Sequence, residues 1–163
     1  MELRAVHDGD DLWAIADIFT RSWKAAYVGI VPQDVLDGLS TDERYARFMA
    51  NGLYPSVVLV DGAKYMGIAT VHAARDQEYA GWGEVVAVYM QPEYFGRGLG
   101  ERILRGAERL LTEMGHDDIY LWALKDNARA RRFYEKMGYE LSGDEKVIEI
   151  GGCELREVRY VRG

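Results

Sequence analysis

Apolar residues along this chain change their spacing several times, and each change marks an element. Leu12, Ile15, Ala16, Phe19, Trp23 and Ala26 recur every three or four positions, which predicts an amphipathic helix over Asp11–Ala26. Asp8, Asp10 and Asp11 offer caps and negative charge at its start. Gly29 and Pro32 break it, and Pro32 suits the first turn of a short helix over Gln33–Leu39. Thr41–Asn51 reads as a further helix, closed by Gly52. Glu2–Val6 is a short strand, and Val57–Val60 with Lys64–Ala74 read as a hairpin around Asp61-Gly62, a strong turn dipeptide. Val85–Met90 is a buried strand. Leu99, Ile103, Ala107, Leu110 and Met114 line one face of a helix that Gly115 ends. Ile119–Ala123 reads as a strand and Asn127–Met137 as a helix with Gly138 after it. Tyr139–Ile150 and Cys153–Val161 form a closing hairpin at Gly151-Gly152.

The resulting order is strand, two to three helices, three strands, helix, strand, helix, two strands. That order predicts a mixed α+β fold, one sheet with helices on both faces. At 163 residues the chain is expected to form one domain. Its 48% apolar and 29% charged residues are those of a soluble globular protein. No apolar run approaches a membrane span, and the acidic start MELRAVHDGDD carries no secretory h-region. The one cysteine, Cys153, excludes an internal disulfide and fits a reducing cytoplasm; in a strand it reads as a small apolar residue. A net charge of −7 argues against nucleic acid and leans toward small or cationic partners. His7, His72 and His116 make no metal-ligand spacing, so no metal site is expected.

The strongest chemical signal is Val85–Leu104, VVAVYMQPEYFGRGLGERIL. A β-branched run meets Pro92, passes Gly96, Gly98 and Gly100, and enters a helix. Orphan N–H groups and the positive end of the helix dipole make such a turn an anion site suited to a diphosphate. A P-loop would need Lys-Ser or Lys-Thr after its last glycine, but Glu101-Arg102 follow Gly100. The dinucleotide fingerprint G-x-G-x-x-G would place its third glycine at Glu101, and too little chain follows to complete the βαβαβ half it needs.

A third kind of loop fits better. Glu84–Gly100, EVVAVYMQPEYFGRGLG, resembles the central motif of the GNAT N-acetyltransferase superfamily: apolar strand, x-Pro, then Arg/Gln-x-x-Gly-x-Gly/Ala. Asn127–Tyr139, NARARRFYEKMGY, resembles the family's N-x-x-A-x-x-F-Y-E-K-x-G-F segment. Two motifs in this order are far more specific than either alone, and the likeness covers the C-terminal two-thirds well. The resemblance implies a GNAT-like fold with a mostly antiparallel sheet of about seven strands, matching the element order above. It implies acetyl-CoA as cosubstrate and transfer of its acetyl group to a primary amine of a small molecule or peptide by direct attack. Homodimers are common in the family. Phe95 departs from the pattern by standing where the family has Arg or Gln, and Arg97 is the nearest source of positive charge. A non-catalytic acyl-CoA-binding domain and a nucleotide-dependent oxidoreductase remain as alternatives.

The resemblance assigns the cofactor to Phe95, Gly96, Arg97, Gly98, Leu99, Gly100 and Glu101 of the loop and to the main chain of Val88 and Met90. Asn127 and Arg131 are further cofactor candidates. The reaction needs a base to free the amine, donors for the thioester oxygen, and an acid for the leaving thiolate. Tyr134 is the acid candidate; seven residues after Asn127, about two helical turns on, it shares that residue's face. Glu84 is the base candidate, because period two would place it on one face with Val86, Val88 and Met90. Trp23, Tyr27 and Trp82 are expected to wall the acceptor pocket.

Overall fold

A computed structural model describes residues 1–163. Seven strands form one sheet: β1 (Glu2–Ala5), β2 (Ser56–Asp61), β3 (Lys64–Ala73), β4 (Gly83–Met90), β5 (Ile119–Leu124), β6 (Glu140–Ile150) and β7 (Cys153–Arg162). Five helices accompany them: α1 (Leu12–Ala26), α2 (Gln33–Asp37), α3 (Thr41–Asn51), α4 (Leu99–Glu113) and α5 (Ala128–Lys136). The sequence reading misses two short 3₁₀ turns, Gln77–Tyr79 and Pro92–Tyr94, which are too brief to carry a hydrophobic period. No helix is long and apolar enough to cross a membrane.

The strand order is β1-β2-β3-β4-β5-β7-β6. All neighbouring pairs are antiparallel except β4 and β5. That parallel pair requires a crossover, which α4 supplies. Helix α4 buries Ile103, Leu104, Ala107 and Leu111 against one face of the sheet, each isoleucine or leucine contributing ~1.5–3 kcal/mol. The buried stripe differs from the expected one: Leu104 and Leu111 are inside, while Met114 is 39% exposed at the helix end. Gly106 lets α4 lie close, since a Cβ there would meet Leu3 Cδ2 at 2.7 Å. Phe133 and Tyr134 of α5 pack against this same core. On the opposite face Ile15, Ile18 and Phe19 of α1 cover Val58, Val60 and Ile68. A third cluster ties α2 to the β6–β7 hairpin through Leu36, Ile148, Ile150 and Leu155.

Two irregularities shape the middle of the sheet. Strands β4 and β5 pair only over Gly83–Val85 and Ile119–Leu121 and then separate. Within β4, Val85 faces Val71 while Ala87 faces Thr70, so Val86 is an extra residue, a β-bulge. Its effect on the side chains is direct. Val85, Val88 and Met90 pack on the α4 side, whereas Ala87 and Tyr89 pack on the α1 side. The expectation that Glu84, Val88 and Met90 share a face is therefore corrected: one inserted residue reverses the alternation between them.

The closed end of the split is held by charge. Arg159, 2% exposed, pairs with Asp76, Glu78 and Asp144 at 2.9, 2.8 and 2.6 Å. Its guanidinium also lies over Tyr79, 4.1 Å from the ring centre, and over Trp122, at 4.4 Å.

Candidate active site

The open part of β4 offers unused backbone. The Gln91 N–H donates to Met66 O of β3 at 2.9 Å. Alternation along an antiparallel ladder then turns the N–H and C=O groups of Val88 and Met90 the other way, toward the gap left by β5. The turn after β4 adds more donors. Gly96 and Gly98 have φ of 75° and 73°, the left-handed region that a side chain strains. Side chains cap three helix starts: Asp11 accepts from Ala14 N, Ser40 from Glu43 N and Asn127 from Ala130 N. Helix α4 has no such cap; Gly98 precedes it with no side chain at all. Its first N–H groups are free to meet an anion.

A groove of about 510 Å³ runs along this feature. Val88, Met90, Phe95, Gly96, Gly98, Leu99, Gly100 and Glu101 line one side, and Asn127, Arg129, Phe133 and Tyr134 the other. A smaller chamber of about 140 Å³ continues from it into the gap between β4 and β5. Tyr27, Val88, Asn127 and Tyr134 belong to both spaces. Trp23, Trp122, Ile148 and Glu157 complete the chamber.

Tyr134 sits where groove and chamber meet. Burial and the neighbouring Tyr89 push its phenol above the ordinary range, so the proton stays on at neutral pH. Asn127 both caps α5, through Ala130 N at 3.2 Å, and lines the groove. Trp23 and Tyr27, edge to face at 4.9 Å between ring centres, wall the chamber.

Four expected positions lie elsewhere. Glu84, 2% exposed, accepts from Arg75 Nη2 at 2.6 Å and from Tyr120 Oη at 2.8 Å, and lines neither space. Trp82 precedes Gly83 at the closed end of the split, packed on Tyr79 at 4.8 Å. Arg131 spends its guanidinium on Tyr160 Oη and Lys125 O, both at 3.0 Å, turning away from the groove. Arg97 lies over the Tyr94 ring at 5.6 Å and is not a groove residue. The cations that line the groove are Lys136 and Arg129, the latter stacked 4.7 Å above the Phe95 ring. Phe95 thus supports a cation where the family pattern carries a polar side chain.

Sequence reasoning also passed over Glu157. It stands at the mouth of the split, paired in register with Leu124. Burial raises its pKa, and the nearest cation is Lys146 Nζ at 3.7 Å. The available signal was alternation: Leu155, Glu157 and Arg159 fall on one face of β7, and an acid within a largely buried row asks for a reason.

The comparisons with known proteins agree with this geometry. A family model described as Acetyltransferase (GNAT) family matches residues 12–139. The N-acetyltransferase YuaI of Bacillus subtilis is 26% identical over 150 residues, 91% of this chain and 86% of that one. The spermidine N(1)-acetyltransferase of Thermoplasma acidophilum is 22% identical, over 81% of this chain and 84% of its own. Among solved structures, the PaiA N-acetyltransferase of Thermoplasma acidophilum in complex with coenzyme A superposes with a TM-score of 0.68 at 20% identity. That match covers 97% of this chain and 98% of the other. The Salmonella typhimurium yncA structure with acetyl-CoA gives 0.73 at 21% identity, covering 99% and 92%. With its family match spanning most of the chain, from α1 through α5, this protein belongs to the GNAT acetyltransferase family.

Proposed function

We propose that the protein transfers the acetyl group of acetyl-CoA to a primary amine by direct attack within a ternary complex. The observation that carries this reading is the continuity of three features: the uncapped start of α4, the open edge of β4, and the chamber holding Tyr134 and Glu157. The diphosphate would sit on the N–H groups after Gly98, with Arg129 beside it. The pantetheine amides would pair with Val88 and Met90 along the edge β5 leaves free. The thioester would then reach the chamber beside Tyr134.

Glu157, rather than Glu84, is the base in this reading. An alkylammonium has a pKa near ~10.4 and attacks only after losing a proton; a carboxylate in the chamber can take it. Nitrogen then bonds to the thioester carbon, Tyr134 gives its proton to the departing thiolate as the carbon–sulfur bond breaks, and the second proton shed by the acylated nitrogen restores the Tyr134 phenol. The products are an N-acetylated amine and free coenzyme A. Freed main-chain N–H groups beside the Val86 bulge supply donors for the carbonyl oxygen. No cysteine or serine lines the chamber, so an acyl-enzyme has no nucleophile there.

Calorimetry with acetyl-CoA, NAD and ATP tests the ligand, and thiol release over a panel of primary amines tests the reaction. The expected result is binding of acetyl-CoA alone and amine-dependent thiol release. Binding without release on any amine would leave a binding module. Preference for NAD would overturn the reading entirely.

A further inference from the structure

A second groove, of about 380 Å³, opens on the sheet face covered by α1 and α3. It shares Trp23, Val86, Ala87 and Tyr89 with the chamber that holds Tyr134 and Glu157, so the two spaces adjoin. Two arginines of α3, Arg44 and Arg47, line it, and no acidic residue does. Arg44 is half-buried, with its guanidinium 5.0 Å from the centre of the Phe19 ring. Arg4, Arg75 and Arg159 are each matched to carboxylates. Arg44 and Arg47 take part in none of the ion pairs of the chain. Burial lowers the Arg44 pKa, and the like charge of Arg47 lowers it further, against a smaller opposing effect from Tyr89. A third donor adds to this imbalance. Trp23, which lines both groove and chamber, has a buried Nε1 that makes no well-formed hydrogen bond and has only a weak interaction with Tyr89, so an acceptor atom brought by a ligand would satisfy it.

We propose that this groove holds the body of the amine acceptor, and that the acceptor carries an anionic group, a carboxylate or a phosphate, bound by Arg44 and Arg47. This inference rests on the acetyl-transfer reading and narrows its substrate. A guanidinium fork matches either oxyanion with paired, charge-assisted hydrogen bonds. The acceptor's amine then extends past Trp23 into the chamber, where Glu157 is the matching charge. The bound molecule is therefore bipolar, negative at α3 and positive at β7. A polyamine fits poorly, because its second cation would lie against two arginines. The net charge of −7 points toward cationic partners, but the groove has the opposite local sign, and local sign governs a bound ligand.

Paired amines that differ in one charge test this directly: leucyl-leucine against leucyl-leucinamide, and O-phosphoethanolamine against ethanolamine, with spermidine as the polycation. Two readouts are taken, kcat/KM from thiol release and Kd from calorimetry on the protein saturated with coenzyme A. At least one anionic member is expected to exceed its neutral partner by roughly tenfold in both. The pair that shows the preference tells carboxylate from phosphate. Arg44→Gln and Arg47→Gln should each bring the ratio down toward unity. Arg47 is exposed, so its variant keeps the fold intact if the Arg44 variant does not. Equal or better use of the neutral amines or of spermidine overturns the proposal, as does a preference that survives both substitutions. If no amine releases thiol, the acetyl-transfer reading fails, while the calorimetric ratio still decides whether the groove prefers anions.

Discussion

The two sides of the split sheet are built in different ways. On the cofactor side the working groups are mostly main chain: the N–H groups after Gly98, the free edge at Val88 and Met90, and α5 beginning at Asn127. All come from two short continuous segments, residues 85–101 and 127–137. On the side proposed for the acceptor the lining groups are side chains drawn from α1, α3, α5 and strands β4 to β7, including Trp23, Arg44, Tyr89, Trp122, Tyr134, Ile148 and Glu157. A loop that presents backbone must keep its glycines and its entry into a helix, whatever it binds nearby. A pocket walled by side chains from many elements can change its chemistry by single substitutions without disturbing the fold. The first side is thus fixed by local conformation and the second by where distant residues meet.

Breaking the acceptor side at its carboxylate should have the largest effect. In Glu157→Gln, only the small fraction of an alkylamine already deprotonated can attack, so kcat/KM at neutral pH should fall by about 10³-fold. The deficit should shrink roughly tenfold per pH unit as the amine titrates. The sign of the wild-type profile follows from burial. Glu157 holds its proton to higher pH than an ordinary carboxylate, and a base works only when deprotonated, so activity is lost as pH falls through that raised value. The variant should lack this acid limb. Glu84→Gln should keep it and instead lower thermal stability, by about 1–3 kcal/mol, through loss of charged bonds from Arg75 and Tyr120. A limb that disappears in Glu84→Gln and persists in Glu157→Gln would reverse the assignment.

The meeting point of the two sides comes next. Tyr134→Phe removes the proposed proton donor and leaves the ring packed against Tyr139 and Tyr160. A thiolate, with a pKa near ~8.5, leaves without help more easily than an alkoxide. The fall in kcat should therefore be about 10²-fold, at the low end for general acids, with the Kd of coenzyme A unchanged. On the cofactor side alone, Gly98→Val puts a β-branched residue at a φ of 73°. That strain costs about 1–3 kcal/mol, and relieving it moves the first N–H groups of α4. The Kd for acetyl-CoA should rise by roughly tenfold or more, with little change in kcat at saturation.

What could be read from the chain follows the same division. The element order, the seven strands and the uncapped glycine turn are consequences of period and of φ preference, both local. Residues 85–101 and 127–137 could be read for the same reason. Glu84 leaves the face expected for it because one bulged residue, Val86, reverses the alternation, and a bulge in an all-apolar strand leaves no trace in the hydrophobic pattern. Trp82 packs on Tyr79 at the closed end of the split, although an aromatic two residues before a candidate site looks like a pocket wall in sequence. Which end of β4 parts from β5 is a tertiary fact. Glu157 and Arg44 were missed because neither lies near a motif; they meet the chamber and its adjoining groove only once the sheet and α3 are in place.

The smallest effect separates two arginines on one helix. Arg129 and Arg131 are two residues apart, about 200° around α5, so both cannot face the groove. Arg129 lines it and stacks on Phe95; Arg131 reaches back to Tyr160 and Lys125. Arg129 is exposed, and exposed ion pairs contribute ~0.2–1 kcal/mol. Arg129→Ala should therefore raise the Kd of coenzyme A by about two- to fivefold, and added salt should narrow the gap to wild type. Arg131→Ala should leave that Kd unchanged while lowering the melting temperature, because Tyr160 Oη and Lys125 O lose their donor. Dephospho-coenzyme A refines the reading further. If the Arg129 effect persists with it, the guanidinium acts on the diphosphate; if the effect vanishes, it acts on the 3′-phosphate. A larger loss from Arg131→Ala than from Arg129→Ala, by calorimetry at low salt, would show that α5 presents its other face to the cofactor.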